Sequence, residues 1–190
     1  MSDRDPLDRY WTPDALAVAI VAELGIPRGA LCLEPHVGGG AFARALLAAG
    51  CDVFVSDIDP DAPGLRVPEA RASCCLDFRD FAFSVPGGGF DWVVGNPPFR
   101  GWESHVDAGL LTARCVAYLL PLGCLEGQRR LAWWRDHPPD RAIVLPGRPR
   151  WGGPNARTGS PPRGHAVIVW SAAGIAAGPG RPPPALSWLL

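Results

Sequence analysis

Short apolar runs alternate with amphipathic segments along the chain, and this alternation limits the possible folds more than any other feature of the sequence. Seven runs predict strands, at residues 30–34, 52–56, 71–76, 90–95, 115–123, 141–147 and 165–170. Strands that alternate with helices form a mostly parallel sheet covered by helices on both faces. The last two strands are joined by a Gly-, Pro- and Arg-rich stretch instead of a helix, so one of them is expected to run antiparallel.

The first predicted helix follows a polar start. Pro13 suits the first position of a helix, where its missing N–H costs no hydrogen bond, and Thr12 is expected to be the N-terminal cap. Apolar residues then recur at helical spacing up to Gly25. Further helices are expected after the first strand and over residues 101–114 and 126–135.

Length and composition favour one domain. The 190 residues are 47% hydrophobic, enough for one core. Residues 1–171 are expected to form that domain, and the Ala-, Gly- and Pro-rich residues 172–190 to be extended or disordered. The N-terminus carries charges and prolines where a signal peptide would be apolar, and no uncharged apolar run reaches about 18 residues. We therefore expect a cytoplasmic protein with no membrane partner.

The cysteines occur singly or as one adjacent pair, without the spacing that holds zinc. We therefore expect reduced thiols in the core and no metal site. The six residues are Cys32, Cys51, Cys74, Cys75, Cys115 and Cys124.

Charge is distributed unevenly. Residues 1–125 carry nine Arg and sixteen acidic residues, a net charge of −7, whereas residues 126–165 carry eight Arg and three acidic residues, a net charge of +5. The late basic segment favours contact with phosphates, although solvated surface charge is an alternative. A tryptophan among these arginines suggests stacking on a flipped base, and a core position is the alternative. The candidate nucleic-acid contacts are Arg148, Arg150, Trp151 and Arg157.

Two strand ends predict a site for a nucleoside-bearing cofactor. Ligands of doubly wound sheets lie beyond the carboxyl ends of the strands. The first strand delivers Glu34 and a glycine turn at residues 38–40, and the second delivers Asp57. Glycines let the backbone approach a ligand closely, and an acid at the second strand end can accept both hydroxyls of a ribose. This pattern fits both NAD and S-adenosylmethionine.

A more specific motif, Asn96, Pro97, Pro98 and Phe99, follows the fourth predicted strand. An aromatic amino group is a poor nucleophile because its lone pair is delocalised into the ring. The Asn96 side-chain oxygen and the Pro97 carbonyl can hold its two N–H bonds and direct the lone pair at an electrophile. The prolines stiffen the loop, and Phe99 can stack on a flat target.

In their order along the chain, EPHVGGGAF (34–42), SDID (56–59) and NPPF (96–99) resemble the class I S-adenosylmethionine-dependent methyltransferases that modify amino nitrogens. Tyr10, Trp11, Thr12 and Pro13 match the Tyr-x-Thr-Pro element of some of these enzymes. The resemblance covers about residues 10–122, and the later segments are similar to small phage-type adenine-specific DNA methyltransferases. It implies a Rossmann-like, seven-stranded α/β sheet in the order 3-2-1-4-5-7-6, with strand 7 antiparallel.

The resemblance also implies residue roles. Thr12 and residues 34–40 would surround the methionine part of the cofactor, Asp57 would hold its ribose, and Asp77 would accept from its adenine amino group. The full set implied for S-adenosylmethionine is Tyr10, Thr12, Pro13, Glu34, Pro35, His36, Gly38, Gly40, Asp57, Ile58, Asp77 and Phe78. The set implied for catalysis is Asn96, Pro97, Pro98 and Phe99.

Two residues depart from the family pattern. His36 stands where a small residue is common, and Gly39 fills a normally variable position. The chain also shows no separate target-recognition domain after the last strand. Recognition is therefore expected to fall to loops, to a partner subunit, or to almost no sequence preference. His105, His137 and His165 are isolated in the sequence and are assigned no role.

The substrate hypothesis is direct methyl transfer to N6 of adenine in DNA. RNA adenine and protein glutamine methyltransferases share the Asn-Pro-Pro-aromatic motif, so both remain alternatives. A cytosine-C5 mechanism is excluded, because it needs a nucleophilic cysteine near this loop and none is present. A non-catalytic nucleotide-binding subunit or an NAD-dependent oxidoreductase is the alternative of another class.

Overall fold

A computed structural model describes residues 10–84, 89–154, 163–176 and 182–189. These residues contain one eight-stranded sheet in the order β3-β2-β1-β4-β5-β7-β6-β8. The strands are β1 (Leu31–Glu34), β2 (Asp52–Asp57), β3 (Ala72–Cys75), β4 (Phe90–Gly95), β5 (Ala113–Pro121), β6 (Arg141–Val144), β7 (His165–Ser171) and β8 (Ala185–Trp188). The helices are α1 (Asp14–Leu24), α2 (Ala41–Ala48), α3 (Phe78–Ser84), α4 (Trp102–Thr112), α5 (Leu131–Asp136) and α6 (Ala172–Ala176).

The first seven strands confirm the predicted order. Strands β1 to β5 pair in parallel, and β7 runs antiparallel to both β5 and β6. In the β5–β7 register, Pro121 at the end of β5 lies opposite His165 at the start of β7. β7 therefore begins at the side of the sheet where the parallel strands have their carboxyl ends.

The strand count and the description of the C-terminal segment need correction. Ala185–Trp188 forms an eighth strand, β8, parallel to β6, and Ala172–Ala176 is helical. The Gly and Pro residues around this segment favour an extended or disordered chain, so the four-residue strand was not predicted. The strand is stabilised by its pairing with β6. Its ladder includes bonds from the Ala185 N–H to the Asp140 carbonyl and from the Leu189 N–H to the Val144 carbonyl.

Thr12 is not the cap of α1. The helix begins at Asp14, and Pro13 occupies the cap position with no side-chain capping bond. The Pro13 carbonyl itself accepts hydrogen bonds from the N–H groups of Leu16 and Ala17. The hydroxyl of Thr12 is therefore not used by the helix.

The core lies on both faces of the sheet. α1 and α2 cover one face together with buried residues such as Ile20 and Phe42. α3, α4 and α5 cover the other face, around Trp102 and Trp170. No helix among the described residues has the length and apolarity needed to cross a bilayer.

The predicted burial of the cysteines is correct in part. Cys32, Cys51 and Cys124 are buried, and burial raises the pKa of the Cys124 thiol to about 12. Cys75 is exposed because β3 is an edge strand of the sheet. Among the described residues, no group of three or more His, Cys, Asp or Glu is arranged to hold a metal ion.

Candidate active site

A cleft lies at the carboxyl ends of β1 and β4. Three parts of the chain form it: the segment before α1, the glycine turn after β1, and the start of the loop after β4. The lining residues are Tyr10, Trp11, Thr12, Glu34, His36, Val37, Gly38, Gly39, Ala41 and Asn96. The structure thus brings together residues from three of the predicted motifs.

Four buried polar atoms in this cleft have no hydrogen-bond partner in the part of the chain that the structure describes. They are Thr12 Oγ1, Glu34 Oε2, His36 Nδ1 and Asn96 Oδ1. A buried polar atom without a partner costs about 1–3 kcal/mol, and such atoms are uncommon in folded proteins. Their convergence on one cleft fits a polar ligand that supplies the missing partners.

Glu34 is the most deeply buried acid of the cleft, with 2% of its surface exposed. Burial raises the pKa of its carboxyl well above the usual value, and the nearby Asp57 raises it further. The backbone N–H of Ala43 and the charge of Arg44 act in the opposite direction. A cationic ligand group beside Glu34 would favour the ionised form.

The glycine turn after β1 is held from β2. Asp57 Oδ2 accepts a 2.8 Å hydrogen bond from the Gly38 N–H, and Asp57 Oδ1 accepts one of 2.9 Å from the Asp59 N–H. Gly40 has φ 82, a conformation that favours glycine. Burial raises the pKa of Asp57. Asp57 therefore supports the turn, and its remaining lone pairs can still accept hydrogen bonds from a ligand.

The predicted adenine end of the cofactor site lies after β3. Both Asp77 oxygens accept from the Arg79 guanidinium, with 2.9 Å between Arg79 Nε and Asp77 Oδ1. This pairing lowers the pKa of Asp77 to about 2. Phe78 is buried, and Ile58 is 50% exposed. Arg79 is a neighbour of this end that sequence analysis did not identify.

His36 pairs with a residue that was assigned no role. Its Nε2 lies 2.9 Å from His105 Nδ1 on α4, so one ring donates a hydrogen bond to the other. Burial lowers the pKa of both rings, that of His105 to about 4, which keeps the pair neutral near pH 7. Phe78 and Tyr118 contact the His36 ring edge-on, with ring centroids 5.7 Å away in each case. His36, which departs from the family pattern, therefore links the cofactor loop to α4, the helix that follows the Asn-Pro-Pro-Phe loop.

The amide of Asn96 has a defined orientation. Its Nδ2 donates a 2.8 Å hydrogen bond to the Tyr10 carbonyl, and its Oδ1 is the unpartnered atom in the cleft. Pro97 is buried, whereas Pro98 and Phe99 are partly exposed. The Tyr10 carbonyl thus fixes the Asn96 amide with its oxygen as the atom left without a partner among the described residues.

An aromatic cluster surrounds Phe99. Its ring lies nearly parallel to that of Tyr10, with centroids 6.5 Å apart and an interplanar angle of 7°. Trp151 lies 6.0 Å from Phe99, and His165 lies 5.1 Å from Trp151. Burial lowers the pKa of His165 to about 4, and its Nδ1 has no hydrogen-bond partner among the described residues. His165 belongs to this cluster because the antiparallel β7 begins here.

The late basic segment divides into two groups. Arg130 pairs with Glu103 and Arg141 pairs with Glu23, so these two stabilise the fold. Arg148 and Arg150, which precede Trp151, are exposed and form no ion pair with the described residues. Arg157 lies outside the described residues.

Comparison with known protein sequences finds a relative that matches part of the chain. No family model matches the chain. Over 96 residues it is 35% identical to the type II methyltransferase M.TthHB8I of Thermus thermophilus, covering 49% of this chain and 21% of that protein. The chain thus spans about a fifth of the length of this curated relative.

Solved structures resemble this protein over most of its length. The RNA methyltransferase candidate PH1948 of Pyrococcus horikoshii has a TM-score of 0.67 at 14% identity and covers 87% of both chains. The modification subunit of a type I restriction enzyme candidate of Vibrio vulnificus has a TM-score of 0.62 at 13% identity, covering 93% of this chain and 45% of that chain. Magnesium protoporphyrin IX methyltransferase of Synechocystis with bound S-adenosylmethionine has a TM-score of 0.54 at 13% identity, covering 83% and 76%. The chain therefore has the Rossmann-like fold of S-adenosylmethionine-dependent methyltransferases.

Proposed function

We propose that this protein transfers a methyl group from S-adenosylmethionine to the N6 amino group of adenine in DNA. The observation that carries this proposal is the orientation of Asn96. Its Nδ2 is bonded to the Tyr10 carbonyl, so its unpartnered Oδ1 is available as an acceptor in the cleft. An amino group that donates to Oδ1 would satisfy this atom.

The cleft fits the amino-acid end of the cofactor. Thr12 Oγ1 and Glu34 Oε2 would accept from its ammonium group, and the carboxylate of Glu34 would balance the positive charge. Asp57 would hold the ribose, and Asp77 would contact the adenine, using lone pairs that Gly38, Asp59 and Arg79 leave free. The bound cofactor supplies a methyl group on a positively charged sulfur.

Asn96 and Pro97 would then prepare the nucleophile. Asn96 Oδ1 and the Pro97 carbonyl would each accept one N–H of the amino group and raise the electron density on its nitrogen. With the cofactor bound, the target nitrogen would take the methyl group as the carbon–sulfur bond breaks, and the methylated nitrogen would then release one proton. Pro97 has no N–H to compete for these bonds, and its burial holds the loop in place.

Three observations favour adenine in DNA as the target. The aromatic rings of Tyr10, Phe99 and Trp151 contact one another at the loop that begins with Asn96, and such rings suit a flat heterocycle. The exposed Arg148 and Arg150 precede Trp151 and suit a phosphate backbone. The curated relative is a type II methyltransferase.

The test is to incubate the protein with S-adenosylmethionine labelled in its methyl group and, separately, with DNA, RNA and a cell protein extract. We expect label in DNA, recovered as N6-methyl-2′-deoxyadenosine after digestion to nucleosides. Label in RNA or in protein glutamine would replace the DNA assignment. Label in none of the three pools, from protein that binds S-adenosylhomocysteine, would favour a non-catalytic subunit.

The control for this test is a pair of amide substitutions. Asn96→Ala removes the oriented acceptor, whereas Gln128→Ala removes an exposed amide outside the cleft. We expect label transfer to fail in Asn96→Ala and to persist in Gln128→Ala. Equal transfer by both variants would reject Asn96 as the catalytic residue.

A further inference from the structure

Residues 10–12 contact three loops: the glycine turn after β1, the loop after β4 and the connection from β6 to β7. The Tyr10 carbonyl accepts from Asn96 in the loop after β4. The hydroxyl of Thr12 faces the same cleft as the glycine turn after β1. Trp11 lies between these residues and contacts the connection from β6 to β7. A three-residue segment therefore joins the predicted cofactor, catalytic and nucleic-acid loops.

The backbone of Trp11 is paired with the β6–β7 connection. Its N–H donates a 3.1 Å hydrogen bond to the Gly152 carbonyl, and its carbonyl accepts a 2.8 Å bond from the Gly152 N–H. Trp11 and Gly152 thus form an isolated antiparallel bridge. Gly152 follows Trp151 in the sequence, and the Trp151 ring belongs to the aromatic cluster around Phe99. The bridge therefore connects Trp11 to the residue next to Trp151.

The side chain of Trp11 lies between two sets of glycines. A methyl group added to Gly38 or Gly39 of the cofactor loop would lie 2.9 or 3.0 Å from the indole. A methyl group added to Gly153 of the β6–β7 connection would lie 2.8 Å from it. Only residues without a side chain permit this closeness, so the ring is in direct contact with both loops.

We propose that Trp11 is a positioning residue that couples cofactor binding to the placement of the nucleic-acid loop. The inference rests on the proposed function for the identity of the two ligands. Trp11 lines the cleft that would hold the cofactor, so a ligand there packs against the indole and restricts its motion. The indole in turn restricts residues 152–153, and with them Trp151 and the exposed Arg148 and Arg150.

Thermodynamic linkage makes this coupling reciprocal. If the cofactor raises the affinity for nucleic acid by a given factor, nucleic acid raises the affinity for the cofactor by the same factor. Coupling of this kind commonly amounts to about 5–150-fold. The coupling factor measured from nucleic-acid binding with and without the cofactor must therefore equal the factor measured from cofactor binding with and without nucleic acid.

Hydrogen exchange tests the coupling without nucleic acid. S-adenosylhomocysteine should slow exchange in peptides that contain residues 148–154, including the Gly152 amide that donates to Trp11. The slowing should disappear in Gly153→Ala, where the added methyl group displaces the loop from the indole while Trp11 is retained. Gly127→Ala is the matched control, because Gly127 also has a positive φ of 102 but no atom within 4 Å of an added methyl group.

A binding measurement provides the second test. The dissociation constant of an adenine-containing duplex is measured with and without saturating S-adenosylhomocysteine. We expect the dissociation constant without S-adenosylhomocysteine, divided by the constant with it, to exceed about 5 in the wild type and in Gly127→Ala. This ratio should approach 1 in Gly153→Ala and Trp11→Ala. A ratio unchanged in Gly153→Ala would overturn the inference.

The exchange experiment also separates this inference from the proposed function. If S-adenosylhomocysteine binds but exchange at residues 148–154 does not change, the role of Trp11 is rejected and the methyltransferase proposal is unaffected. If exchange responds but no methyl group reaches DNA, the substrate proposal fails while the contact between the loops is supported.

Discussion

The candidate site has two walls, the glycine-turn lining of the cleft and the aromatic cluster beside the cleft, and they are built in different ways. The wall around the glycine turn comes from one stretch, residues 34–40, and is fixed by the hydrogen bond from the Gly38 N–H to the side-chain carboxylate of Asp57 at the end of β2. The aromatic wall draws Tyr10, Phe99, Trp151 and His165 from widely separated parts of the chain. A continuous wall can be recognised as a motif, whereas an assembled wall exists only once the sheet has formed.

This difference also separates the chemistry of the two walls. The continuous wall offers buried polar atoms, which suit a charged ligand in one fixed orientation. The assembled wall offers aromatic rings, which suit a flat ligand. The stacking energy of a base on such a ring depends little on the neighbouring nucleic-acid sequence. Asn96 stands where the walls meet, so substitutions there and on either side distinguish what each wall contributes.

The largest effect is expected at this junction. Asn96→Ala should lower the single-turnover rate of methyl transfer by about 10²–10³, by analogy with the loss of one preorganised polar contact in an oxyanion hole. Affinity for S-adenosylhomocysteine should be unchanged, because the lost acceptor serves the target nitrogen. Calorimetry and rapid-quench kinetics measure the two quantities. A fall in affinity equal to the fall in rate would assign Asn96 to the cofactor wall.

Asn96→Asp sharpens this test. An ionised carboxylate would place an oxygen against the Tyr10 carbonyl where Nδ2 now donates over 2.8 Å, so transfer should be slow at neutral pH. Protonation restores a donor to Tyr10 and keeps one acceptor for the target, so the rate should rise relative to the wild type as pH falls. A rate ratio that is constant with pH would contradict the assigned amide orientation.

The next largest effect is expected at Glu34 on the continuous wall. Glu34→Gln should weaken S-adenosylhomocysteine binding by about 1.5–3 kcal/mol, the usual contribution of a hydrogen bond to a charged group. Isothermal calorimetry measures this loss. Unchanged affinity would move the ammonium contact away from Glu34.

The same substitution should stabilise the unliganded protein. Because the pKa of Glu34 is raised above its ordinary value of 4.5, the folded protein retains a proton that the unfolded chain has released. Stability is therefore lost as pH rises from the ordinary pKa towards the raised one. Glu34→Gln removes this loss, so its melting temperature should exceed that of the wild type by a margin that grows with pH. A difference in melting temperature that does not change with pH would show that burial does not raise the pKa of the Glu34 carboxyl.

Sequence analysis identified the continuous wall as a motif. It named Tyr10, Phe99 and Trp151 of the assembled wall separately, but it gave no role to His165 and did not predict that the four rings meet. The order of seven strands and the placement of Glu34, Asp57 and Asn96 at one sheet edge followed from strand ends and motifs. His36 and His105 are 69 positions apart, and no local pattern indicates that they pair. Trp11 and His165 likewise gain their positions from the β6–β7 connection and the reversal of β7.

A smaller effect is expected on the aromatic wall. Trp151→Ala should weaken nucleic-acid binding by about 1–3 kcal/mol, the range for the stacking of one base on an aromatic ring. Trp188→Ala, which removes an exposed ring from β8 at 56% exposure, is the matched control. Fluorescence of 2-aminopurine at the target position reports whether the base still leaves the duplex. Equal binding by the two variants would remove Trp151 from the wall.

The smallest effect is expected from the exposed arginines. Arg148→Ala with Arg150→Ala should weaken binding to all DNA sequences alike and reduce the slope of log K against log salt by about 0.9 for each lost phosphate contact. Arg114→Ala is the control, because Arg114 is exposed but lies at the beginning of β5, away from the cleft edge. A slope equal in the two proteins would make Arg148 and Arg150 ordinary surface charge.

The reversal of β7 has a consequence for engineering. Because β6 ends and β7 begins at the cleft edge of the sheet, both ends of the connection between Val144 and His165 are anchored beside the aromatic wall. Doubling the length of a flexible loop costs only about 0.6 kcal/mol in closure entropy. If the protein methylates DNA as proposed, new residues grafted into this connection would add contact surface beside the DNA at little cost to the fold, which makes the connection the natural place to engineer sequence preference.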